Sequence, residues 1–63
     1  MEKELWTVQF KFRGEGYRPN VYFWFQPKVK GDRPLQKTIL RVFNINHGDP
    51  VMRVYKVDTI RND

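Results

Sequence analysis

The sequence predicts a small all-β domain, a four-stranded antiparallel meander curled into an SH3-like or OB-like barrel. Three observations carry this. Apolar and polar residues alternate over residues 5 to 13, and large or β-branched side chains crowd residues 20 to 27 and 51 to 60, as in strands. The turn-forming clusters "GEGYRPN", "KVKGDRP" and "NHGDP" separate the apolar runs. The chain has no alanine, and its one ambiguous segment mixes a few good helix formers with β-branched residues.

The first strand is "LWTVQFKFR". Trp6, Val8, Phe10 and Phe12 alternate with Thr7, Gln9, Lys11 and Arg13, so one face is apolar and the other polar. "GEGYRPN" reads as a loop, and "NVYFWFQP" as a second strand stopped by Pro27. In an antiparallel hairpin, Val21, Phe23 and Phe25 must share a face with the apolar residues of the first strand. One register sets Phe12 opposite Val21, Phe10 opposite Phe23 and Val8 opposite Phe25. Lys11 then faces Tyr22, and Gln9 faces Trp24. A slip of one residue would turn the aromatics to the wrong face, so the pairing parity is well specified.

The segment "LQKTILRVFNI", residues 35 to 45, supports two readings. As a helix it has an apolar arc of Leu35, Ile39, Val42 and Phe43, with Asp32 available as a cap ahead of Pro34. As a strand it offers Thr38, Ile39, Val42, Phe43 and Ile45. The strand reading gives the four-stranded barrel and, through the "NHGDP" loop, sets Arg41 across from Tyr55 and Phe43 across from Arg53. The alternative is an α+β arrangement, ββαβ, with one helix at about 34–45 covering a three-stranded sheet. "VMRVYKVDTI" is the last strand in either case.

A chain of 63 residues without cysteine forms one small domain over 1–63, with no disulfide or thiolate metal site to brace it. Enzymatic chemistry is not expected. Serine is absent as well, leaving Thr7, Thr38 and Thr59 as hydroxyl candidates, none of them N-terminal. His47, the single histidine, sits in a turn beside Asp49, and two ligands do not make a metal site. "GEG" lacks the lysine and helix start of a phosphate loop. No catalytic residue, metal or cofactor is assigned.

Charge points to a partner. Twelve Lys+Arg against seven Asp+Glu give a net +5 and a pI near 9.9, a balance drawn to nucleic acid, anionic lipid or an acidic protein surface. A merely solubilising surface would carry the same charge. No apolar run is long enough to cross a bilayer, and "MEKELW" lacks the apolar middle of a signal peptide, so a cytoplasmic location is expected. The polar face of the hairpin then becomes the candidate site. Gln9, Lys11 and Arg13 stand beside Tyr22 and Trp24, with Arg41, Arg53 and Lys56 adding charge. Aromatic rings among cations suit single-stranded DNA or RNA, whose bases stack while the phosphates are neutralised. The same residue types populate protein interfaces, so the alternative is a small inhibitor or adaptor docking on an acidic host surface. An exposed aromatic face can also pair with its own copy, giving a homodimer.

Two resemblances bear on this. "TVQFKFRGEG", residues 7 to 16, resembles the opening hairpin of the small basic chromatin proteins of crenarchaea, SH3-like barrels that bind duplex DNA through a sheet face. The likeness spans about a sixth of the chain. The lysine-dense remainder and helical tail of that family are absent, so its DNA-contacting residues are not carried over. "ELWTV" and "VMRVYKV" are similar to the first and last strands of small phage proteins that inhibit bacterial RNA polymerase. That resemblance implies a phage-encoded protein acting on a host polymerase, with Arg53 as a candidate contact, although the acidic helix of those proteins has no counterpart here.

Overall fold

The computed structural model describes residues 2–61. They form β1 (Glu2–Lys11), β2 (Val21–Phe25), α1 (Gln36–Val42) and β3 (Val51–Arg61). The strands make one antiparallel sheet in the order β2-β1-β3, so the N-terminal strand is central. β3 pairs along all of β1, from Lys11↔Val51 to Glu2↔Arg61, whereas β2 covers only the stretch from Val8↔Val21 to Glu4↔Phe25. A register shift between Leu5 and Trp6 skips Val57, a one-residue bulge in the β3 edge.

The chain is therefore small and mostly β, but the four-stranded barrel expected from the sequence is corrected. The sheet is open and has three strands, and the segment 35–45 supplies a helix, as in the ββαβ alternative. Burial explains the outcome. Trp6, Val8, Phe10 and Phe23 project from one face of the sheet, flanked by Met52 and Val54, and need a cover. A fourth strand added at an edge would lengthen that face rather than cover it. As a helix, the segment lays Ile39, only 1 % exposed, into the centre of the face, with Leu40, Phe43 and Ile45 beside it. The Phe43 ring meets Phe10 and Phe23 edge-on, at centroid distances of 5.5 and 5.9 Å. Tertiary burial overrides the mixed local propensity.

The helix ends are set locally. Leu35 is the N-cap and makes no side-chain cap bond. Asp32, expected to cap, instead accepts the backbone N–H groups of Lys28 and Arg33 and braces the preceding turn. At the C-terminus Asn44 takes a left-handed φ of 56°. Ile45 N–H then bonds Leu40 C=O (2.8 Å) and Asn44 N–H bonds Arg41 C=O (3.1 Å), the paired closure of a Schellman motif.

The hairpin register is also corrected. Its parity is as expected, so Val21, Phe23 and Phe25 lie on the core side, but β2 slides four positions along β1. Val21 pairs with Val8 rather than Phe12, Tyr22 with Thr7 rather than Lys11, and Trp24 with Leu5 rather than Gln9. The loop is the cause. Tyr17 bridges to Lys11 and Arg18 N–H bonds Phe10 C=O (2.8 Å), so loop residues occupy the pairing places next to the end of β1. Thr7 Oγ1 locks the displaced strand by donating to Val21 C=O (3.0 Å) while accepting from Asn20 Nδ2 (3.1 Å).

Candidate functional site

With α1 on one face of the sheet, the opposite face is open. Its layout follows from the register. Down the centre run Lys3, Leu5, Thr7, Gln9 and Lys11 of β1, at alternate positions. On the β2 side stand Trp24 beside Leu5, Tyr22 beside Thr7 and Tyr17 beside Lys11. On the β3 side stand Ile60 beside Lys3, Asp58 beside Leu5, Tyr55 beside Thr7 and Arg53 beside Gln9. Thr7 is buried between its two tyrosine neighbours, and those rings stand clear of the core: Tyr22 is 59 % exposed, Trp24 55 % and Tyr55 55 %.

Two ends of this face differ in chemistry. At one end Lys3, Trp24, Phe25, Gln26 and Ile60 line a shallow cleft of about 440 Å³, with the exposed indole on its wall. At the other end cations gather on one ring. The Arg53 guanidinium lies 3.9 Å from the centroid of Tyr17, and Lys11 Nζ lies 5.5 Å from the same centroid. Three cations, Lys3, Lys11 and Arg53, therefore share the face with one carboxylate, Asp58, so its charge is positive.

Of the residues singled out from the sequence, Gln9, Lys11, Tyr22, Trp24 and Arg53 come together on this face. Arg13 lies in the turn that follows β1, at the rim. Arg41 is on α1, across the sheet, and its expected partner Tyr55 is on the open face; Phe43, expected opposite Arg53, is in the core. Both expected pairs fail because α1 replaces the fourth strand. Lys56 pairs in register with Trp6 and so points to the helix side. There its Nζ lies 3.8 Å from Glu4 Oε2, while Glu4 Oε1 accepts the Trp6 indole N–H at 2.9 Å.

Sequence reasoning missed Tyr17 altogether, because it sits among glycines and a proline in a stretch that reads as a turn. The available signal was an aromatic side chain inside such a loop, next to Arg18. Tyr55 entered only as a partner for Arg41. His47 is exposed in its turn, and no group of three or more His, Asp or Glu suited to a metal occurs among the described residues. Nor, among those residues, is any helix long and apolar enough to cross a membrane. No family model matches the chain, and searches of curated proteins and of solved structures find no match for it.

Proposed function

We propose that this protein is a non-enzymatic nucleic-acid-binding module that takes single-stranded DNA or RNA on its open sheet face. The observation that carries the reading is the exposure of Tyr22, Trp24 and Tyr55 on a face with three cations and one carboxylate, opposite the helix-covered core. Unpaired bases stack on such rings at about 1–3 kcal/mol each, and Lys and Arg neutralise the phosphates between them. A duplex hides its base faces, so protruding rings favour the single strand. Gln9, near the middle of the face, supplies amide donors and an acceptor for base edges.

A low-salt titration with labelled DNA and RNA oligomers tests this. Binding with quenching of Trp24 emission, weakening as salt rises, supports the reading. Unchanged emission and mobility with every oligomer refute it. In that event, a partner retained from nuclease-treated lysate would favour docking on an acidic protein surface.

A further inference from the structure

We propose that Tyr17, Arg53 and Lys11 form a phosphate-gripping subsite at the turn end of the open face, so that a single strand runs along β1 from this grip to the rings of Tyr22 and Trp24. The inference rests on the nucleic-acid reading above. Arg53 rises from β3 beside Gln9, while Tyr17 stands beside Lys11 on the other flank of β1. With the guanidinium 3.9 Å from the Tyr17 centroid, the two side chains meet over the central strand. A guanidinium that close to a ring centre is held over its face by cation–π attraction, which restricts the side chain without using its N–H groups as hydrogen-bond donors. Among the described residues those N–H groups have no acceptor, and neither Arg53 nor Lys11 is paired with a carboxylate.

Two unneutralised cations drawn to one ring repel each other, and a bound anion relieves that repulsion. A phosphodiester oxygen fits the demand, because a pre-oriented guanidinium binds phosphate in a forked geometry and a nearby ammonium adds a point charge. The spacing sets the size of the ligand. From the Leu5–Trp24 row to the Lys11–Tyr17 row is six residues of β1. That is about 20 Å of strand, the reach of the smallest single-strand sites at about four nucleotides.

The test uses the full chain with labelled oligothymidylates from dinucleotide to octanucleotide, and with Arg53→Ala, Arg53→Lys, Tyr17→Ala and Tyr17→Phe variants checked for folding by circular dichroism. Affinity should climb steeply up to about four nucleotides and then level off. Arg53→Ala should reduce the slope of log K against log[salt] by about 0.7, the value for one phosphate contact on a single strand. Arg53→Lys should keep the slope but weaken binding several-fold. Tyr17→Ala should also weaken binding several-fold, and Tyr17→Phe should restore it, because the ring is what positions Arg53. If oligomers bind but the Arg53→Ala slope equals that of the parent chain, the subsite is wrong and the broader reading stands. If no oligomer binds at all, both fall together.

Discussion

Arg53 and Tyr17 meet across the central strand, guanidinium over ring at 3.9 Å, although one belongs to β3 and the other to the loop before β2. The contact ties together two segments that the sheet hydrogen bonds join only through β1. It also holds a cation on the open face. Because the pair is near the surface, its stabilising effect is modest. A double-mutant cycle with Arg53→Ala and Tyr17→Ala in urea should give a coupling of about 0.5–1 kcal/mol. A coupling near zero would mean that the stack is not populated in solution.

The two faces of β2 should respond very differently to truncation. Phe23 is buried against Phe43, so Phe23→Ala should cost about 3–5 kcal/mol. Trp24, its neighbour in sequence, stands on the open face, and Trp24→Ala should change stability by no more than about 0.5 kcal/mol. Ile39→Ala should cost about 2–5 kcal/mol, enough to threaten the fold of so small a domain. Thermal or urea melts check all three, and comparable losses at Phe23 and Trp24 would contradict the assignment of faces.

Much of this division is legible in the sequence, and the reasons for the rest are physical. Alternation in "LWTVQFKFR" gives the core and open faces of β1, and parity then assigns Phe23 and Trp24 to opposite sides. The sliding distance is not legible, because periodicity fixes a register only to a multiple of two. The slide depends on how the loop packs, through Tyr17 and Arg18. Residues 35–45 are ambiguous because their apolar positions satisfy both a helical arc and a strand. What selects the helix is the area of apolar sheet left uncovered, a property of the assembled strands. The candidate site inherits both effects: Tyr17 lies within a turn signal, and the strand reading of residues 35–45 puts Arg41 on a strand that does not form.

Glu4 is a carboxylate only 8 % exposed that accepts the indole N–H of Trp6 at 2.9 Å and forms a long ion pair with Lys56. Glu4→Ala should leave that donor without an acceptor and cost about 1–3 kcal/mol. Glu4→Gln, which keeps an acceptor oxygen, should cost less. Lys56→Ala should matter little, since the ion pair is long at 3.8 Å and the lysine is half exposed, at no more than about 1 kcal/mol. Urea melts of the three variants should rank them in that order. A Lys56→Ala loss as large as that of Glu4→Ala would show that the ion pair, rather than the indole bond, is the important contact.

Gly48 should be the least replaceable glycine. Its φ of +97° disfavours any side chain, and an added Cβ would lie 3.1 Å from the Phe12 ring. Gly48→Ala should therefore cost at least about 1–2 kcal/mol. Gly16 has open space around it and no positive φ, so Gly16→Ala should be neutral or slightly stabilising. Matched urea melts compare the two, and equal effects would argue against the turn geometry over residues 46–50.

The central claim is that single-stranded nucleic acid lies on the open face, and amide chemical-shift mapping with a short oligothymidylate tests it most directly. The prediction is that perturbations concentrate on Gln9, Lys11, Tyr17, Tyr22, Trp24, Arg53 and Tyr55, including the Trp24 indole N–H. The buried Trp6 indole and α1 should stay unperturbed. Shifts confined to α1 or to the 28–33 turn, or none at saturating oligonucleotide, would contradict the account.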